Sequence, residues 1–160
     1  MSQFKTADLC DTHGESVTVA SRPLQSFGRH RSFCGAIQTV KVDGDFLLIK
    51  QSLSEQGNHR VLVVDGGGAL DHALCGDRLA VMAADNLWAG VIINGCIRDS
   101  ADISEINLGV MALSTCPRRP AMQGDGETGL PVSFIGLEFV PGHYVYADAD
   151  GIIVSESSLI

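Results

Sequence analysis

The sequence predicts a mixed α/β domain spanning 1–160, and three observations carry that prediction. Short β-branched runs bounded by turn residues recur along the chain. One segment, after Asp77, has clear helical periodicity. In the middle of the chain a strand, a Gly-rich turn, a helix and a second strand follow in order, which is a βαβ-like unit set among hairpins. A chain of 160 residues with 45% apolar content fits one core. Its 18 glycines favour tight turns over long helices.

Taken in order, the strand runs are Ile37–Val42, Phe46–Ile49, Val61–Val64, Val91–Ile93, Val132–Leu137, Tyr144–Tyr146 and Ile152–Val154. Val42-Asp43-Gly44-Asp45 reads as a turn joining two strands, and Asp150-Gly151 as the turn of a terminal hairpin. Leu79, Ala80, Met82, Ala83 and Leu87 fall on one helical face, with Asp77 placed to cap the first turn. Further helices are expected at Thr6–Asp11, at Ser52–Gln56, and from Asp99 to Glu105.

Composition removes several function classes. A net charge of −8 and only one local basic pair, Arg118–Arg119, argue against direct nucleic-acid binding, which needs clustered cations to displace counterions. The five cysteines form no CxxC pair, so neither a disulfide framework nor a thiolate zinc site follows. The five histidines show no metal-binding spacing, and no G-x-S-x-G elbow is present. No apolar stretch is long enough for a membrane span, and the first residues lack a signal-peptide core. A cytoplasmic location with no membrane partner is expected.

Three places could carry chemistry. Asp65-Gly66-Gly67-Gly68 closes the apolar run Val61–Val64, but it lacks the spacing of a P-loop or a dinucleotide fingerprint; a tight turn needing positive φ is the plainer reading. Gly76-Asp77-Arg78-Leu79 opens the helix, where free amides can hold a carboxylate, or where Asp77 simply acts as a cap. Arg98-Asp99 follows a strand end. There a planar guanidinium suits a carboxylate or enolate oxygen and a carboxylate suits Mg²⁺ or Mn²⁺, although a surface pair with Asp99 capping the next helix is the competing reading.

Asp77 and Arg98 are separated by twenty residues, on consecutive elements that can face each other. At these positions, and in Asp8-Leu9-Cys10-Asp11, Val61–Gly68 and Tyr144–Val154, the chain resembles the 4-hydroxy-4-methyl-2-oxoglutarate aldolases and regulator of ribonuclease activity A proteins. The resemblance implies a swivelling β/β/α fold and a homotrimer with active sites between subunits. It implies a lyase that cleaves such keto acids to pyruvate, and that decarboxylates oxaloacetate through the same enolate. Asp99 would hold a divalent cation, largely through waters. Arg98 would bind the pyruvyl oxygen, Asp77 would orient a water for proton transfer, and the amides of Gly76, Asp77, Arg78 and Leu79 would hold the substrate carboxylate. The alternative it implies is a non-catalytic protein that binds and inhibits an endoribonuclease. The chain reads Phe27-Gly28-Arg29 where many members have Phe-Gly-Gly, and Ile160 stands where some of the aldolases continue into an acidic tail.

Overall fold

The computed structural model describes residues 3–160, so the first two residues of the expected 1–160 domain lie outside the described residues. Helices α1 (Thr6–His13), α2 (Leu47–Leu53), α3 (Asp77–Asp85) and α4 (Ser100–Ile103) accompany twelve strands. The strands are β1 (Val17–Val19), β2 (Gln25–Ser26), β3 (Phe33–Val42), β4 (Val61–Asp65), β5 (Ala73–Cys75), β6 (Gly90–Ile97), β7 (Gly109–Thr115), β8 (Gly126–Thr128), β9 (Val132–Phe134), β10 (Leu137–Phe139), β11 (Tyr144–Asp148) and β12 (Gly151–Ser155). Ten of them form one mixed sheet, whose main path runs β1-β12-β11-β3-β4-β6-β7-β2.

Strand β3 joins two kinds of pairing. Phe33–Ala36 pair antiparallel with β11, and Ile37–Lys41 pair parallel with β4. From there β4, β6 and β7 continue in parallel, so the βαβ unit read from the sequence is the centre of the molecule. Val61–Val64 is apolar throughout because both faces of β4 are covered. Leu62 and Val64 pack under Ile49 and Leu53 of α2, Leu79 and Ala83 of α3 and Ile103 of α4. Val61 and Val63 join a second core with Phe134, Phe139, Val145 and Ile152 from β9–β12. The layers therefore run helices, parallel sheet, second β layer. Gly90 and Gly109, paired across β6 and β7, leave the gap that the Phe33 ring fills; a Cβ on either would lie 2.4 or 2.1 Å from that ring.

Several elements differ from the sequence expectation. Phe46–Ile49 is not a strand: residues 47–49 are the first turn of α2, so Asp43-Gly44 joins a strand to a helix. The Asp45 carboxylate accepts the Leu47 N–H at 2.9 Å, and Leu and Lys are good helix formers. The helix expected at Ser52–Gln56 is the tail of that same α2, which ends at Leu53. Val132–Leu137 is two strands, because Ile135 and Gly136 turn the chain with φ of 48° and 73°. A β-branched residue there is rare, which is why a strand is the natural reading. Strand β7 has no counterpart among the predicted runs; its Met-Ala-Leu centre has helical propensity, overridden by pairing with β6 on one side and β2 on the other. The terminal hairpin β11–β12 and helices α1 and α3 stand where the sequence places them.

Candidate functional site

Strand β5 runs parallel to β6, with Ala73 opposite Cys96 and Cys75 opposite Ile97, and the Arg98 N–H donates to the Cys75 carbonyl at 2.9 Å. Gly76 and Arg98 thus leave neighbouring parallel strands at their carboxyl ends, where open α/β sheets gather functional loops. Asp99 then takes a left-handed conformation, φ 56° and ψ 39°, which an aspartate tolerates but which is uncommon for a side-chain-bearing residue.

That turn sends the Asp99 carboxylate back to α3, where Oδ2 accepts the Asp77 N–H at 3.1 Å. The capping expected from the sequence is therefore exchanged. Asp77 is the first helical residue rather than the cap, and Asp99 makes no side-chain cap to its own helix α4. A Cβ on Gly76 would stand 2.7 Å from Asp99 Oδ2, so only glycine leaves the carboxylate this path. Of the amides expected to hold a substrate carboxylate, Asp77 N–H is taken by Asp99 and Arg78 N–H donates to Asp77 Oδ1 at 2.8 Å. Leu79 N–H has no partner among the described residues, and Ala80 N–H already bonds the Gly76 carbonyl.

These residues line one end of a cleft of about 800 Å³. The Arg98 guanidinium reaches the Pro117 carbonyl at 3.5 Å, and Arg98 lines the cleft. Behind it, Cys75 is buried; burial first, then the nearby Asp99 and Asp77 charges, push its thiol up to about 12. It stays protonated at neutral pH and is no nucleophile. The other end of the cleft carries residues that the sequence reading does not single out, Phe46, Lys50 and Met122, together with Arg119 of the basic pair noted above. Their signal in the sequence is weak, since they come from α2 and from a loop far along the chain.

Asp45 builds that second end. Only 1% exposed, it accepts Leu47 N–H through Oδ1, and Gln123 and Gly124 N–H at 2.6 and 3.0 Å through Oδ2. Phe46 N–H to Ala121 O at 3.0 Å and Ala121 N–H to Gly44 O at 2.8 Å complete the junction. The Gly66–Gly68 turn lies apart from the cleft. Gly66 and Gly68 N–H both bond the Asn94 carbonyl at 3.1 Å, and Gly67 and Gly68 have φ of 69° and 75°, so the turn reading holds. Among the described residues no group of three His, Cys, Asp or Glu side chains could hold a metal by itself. Among the described residues no helix is long and apolar enough to cross a membrane.

An α/β protein with a polar cleft at the ends of parallel strands is the class that this fold and site define. Within that class, the RraA-like family model, described as Aldolase/RraA, matches residues 6–154, and the chain belongs to this family. A protein of Aromatoleum aromaticum provisionally named 4-hydroxy-4-methyl-2-oxoglutarate aldolase is 48% identical over 99% of both chains. One of Dechloromonas aromatica with the same provisional name is 46% identical over 98% of both. Among solved structures, a Geobacillus kaustophilus protein described as an S-adenosylmethionine:2-dimethylmenaquinone methyltransferase superposes with a TM-score of 0.96 at 47% identity, covering 98% of this chain and 97% of that one. The RNA-processing inhibitor RraA from Thermus thermophilis superposes with 0.94 at 35% identity, covering 99% and 98%.

Proposed function

We propose that this chain is a lyase that cleaves 4-hydroxy-4-methyl-2-oxoglutarate-type keto acids to pyruvate, with oxaloacetate decarboxylation at the same site. One observation carries the reading: Arg98 and Asp99 leave β6 beside the start of α3, so a guanidinium, two carboxylates and an unpartnered helix amide share one cleft. The provisional names of the relatives point the same way. A methyltransferase reading draws no support from the site, which has no dinucleotide-type glycine fingerprint.

In this reading the Leu79 N–H and the positive end of α3 receive the substrate's C1 carboxylate. Arg98 donates to the keto oxygen and stabilises the negative charge that grows there as the C3–C4 bond breaks. A water held by Asp77 takes the proton of the C4 hydroxyl and returns one to C3, so the two fragments leave as two pyruvates with no net proton change. Asp99 suits a cation that keeps most of its waters: it is exposed, Oδ2 accepts a single N–H, and Oδ1 has no partner among the described residues. Mg²⁺ or Mn²⁺ on Asp99 would supply further positive charge at the enolate oxygen. A homotrimer with the cleft at a subunit boundary belongs to the same proposal. Light scattering on the purified protein would read its mass.

A coupled pyruvate assay tests the activity. Pyruvate should form from 4-hydroxy-4-methyl-2-oxoglutarate and from oxaloacetate with Mg²⁺, and should stop on adding a chelator. No pyruvate above background from either substrate would remove the reading. The resemblance to the RNA-processing inhibitor favours a second one, binding to an endoribonuclease. Capture of a purified endoribonuclease, undiminished in Asp99→Ala, would support it.

A further inference from the structure

The start of α3 is already occupied by carboxylates of the chain itself. The Asp77 N–H donates to Asp99 Oδ2 at 3.1 Å and the Arg78 N–H to Asp77 Oδ1 at 2.8 Å, so of the amides in the first turn only that of Leu79 is without a partner among the described residues. Neither acceptor is neutralised by a contact cation: among the described residues no Lys or Arg side chain lies within 4.0 Å of a carboxylate oxygen, the single pair at that distance being His72 with Asp71. A third carboxylate, arriving with a substrate, would meet one free amide and two negative charges at the same helix end.

The Asp99 contact is built rather than incidental. Gly76, the residue before α3, has no side chain to cap the helix, and Asp99 supplies the acceptor from the neighbouring strand end. Reaching it takes a left-handed backbone at Asp99, φ 56° and ψ 39°, and a glycine at 76, where a Cβ would stand 2.7 Å from Oδ2 and 3.5 Å from Arg98 Cγ. One oxygen of Asp99 thus holds the kind of donor that a substrate carboxylate would use. Its other oxygen has no partner among the described residues and the residue is exposed, so the same side chain suits a divalent cation. The two roles oppose each other. A hydrogen bond to a charged acceptor is roughly twice as strong as one to a neutral acceptor, so charge shared with a cation weakens the hold on the N–H.

We infer that Asp99 is an autoinhibitory cap: in the cation-free protein it occupies the Asp77 N–H, and on taking up a divalent cation it yields that N–H to the C1 carboxylate of the 2-oxo acid. The inference rests on the keto-acid reading above and adds an order to it, cation before substrate. After the exchange two amides, those of Asp77 and Leu79, hold the substrate carboxylate instead of one. The Asp77 side chain is tied to its own helix through Oδ1, so the water it holds does not move with Asp99. The coupling is reciprocal, and a bound 2-oxo acid tightens the cation by the same factor. A chain that has lost its cation therefore does not retain substrate in a site that cannot turn it over.

The test reads binding rather than turnover and uses pyruvate, which has no bond for a retro-aldol step to cleave. In the presence of a chelator, calorimetry should find that Asp99→Gly binds pyruvate about tenfold more tightly than the parent protein, since the Asp77 N–H is freed and glycine takes the left-handed backbone without steric cost. Asp99→Asn, which loses the charge but keeps an oxygen on that N–H, should gain only about two- to threefold. Gains within about twofold of each other in the two variants, or no gain in Asp99→Gly, overturn the cap. A second readout needs no variant. In the parent protein Mg²⁺ alone should move the Asp77 amide proton resonance upfield as its bond to Asp99 is lost, and pyruvate should return it downfield; a resonance that Mg²⁺ leaves in place also overturns the cap. Because nothing is cleaved, absence of pyruvate release in the activity assay alongside these binding changes would remove the proposed reaction and leave the cap standing.

Discussion

Two helices frame the cleft, and the first N–H of each donates to an aspartate outside the helix, yet the two aspartates are differently placed. Asp45, ahead of α2, is buried and takes three N–H donors from two segments. Asp99, ahead of α4 in sequence but serving α3 in space, is exposed, takes one donor, and has a left-handed backbone. A buried carboxylate with its lone pairs used has no capacity left for a ligand, so it holds shape. An exposed one with an oxygen to spare, kept in an uncommon conformation, is where chemistry is to be sought. The same residue type at a helix entrance thus separates into scaffold and site by how completely its acceptors are filled.

The largest expected effect breaks the comparison on the site side. Arg98→Ala should lower pyruvate release by roughly 10²–10³-fold, about 3–4 kcal/mol of barrier, if the guanidinium acts on the developing oxyanion. Asp99→Asn should fall comparably in activity. Its unfolding free energy in urea should barely move, by about 0.5 kcal/mol or less, since asparagine also accepts the Asp77 N–H and tolerates the left-handed region.

Asp45→Ala should do the reverse. Loss of three bonds inside a closed junction should destabilise by roughly 2–4 kcal/mol in equilibrium urea unfolding. A stable Asp45→Ala protein would remove the contrast between Asp45 as scaffold and Asp99 as site. Gly76→Ala comes next, at about 1–3 kcal/mol for forcing a Cβ against the Asp99 carboxylate, with catalysis falling further than stability.

The smallest effect is in pH. Burial tends to raise the Asp45 carboxyl, but the backbone N–H bonds from Leu47, Gln123 and Gly124 outweigh it and hold it below its ordinary 3.8. Asp148 behaves likewise: burial raises it, and bonds from Thr6, whose N–H and hydroxyl both reach it at 2.7 Å, bring it down. A group whose folded value lies below its unfolded one contributes stability above the unfolded value. That contribution disappears as pH falls through the folded value, because the folded chain binds the proton less readily. The urea midpoint should therefore decline below about pH 4, with a shallower decline in Asp45→Asn.

Much of the fold was legible, and the places where it was not have physical causes. Val61–Val64 and the periodicity after Asp77 carry their own patterns, because a strand covered on both faces must be apolar throughout and a half-buried helix must repeat every third or fourth residue. The Ile135–Gly136 turn and strand β7 were hidden, since each overrides a local preference through tertiary pairing. At the site, Asp77, Arg98 and Asp99 could be nominated from spacing and resemblance, but not the direction of capping. Lys50 and Arg119 could not be nominated at all, being 69 residues apart in sequence.

By itself, then, the sequence determined the βαβ centre, the family, and the three residues at one end of the cleft, because those depend on patterns local in the chain. Only the tertiary structure decided that Asp99 reaches back to α3, that Asp45 closes the other entrance, and that four unpaired cations meet in one cleft. Charge and hydrogen bonds act through space, and the folded sheet alone sets which distant residues come within their reach.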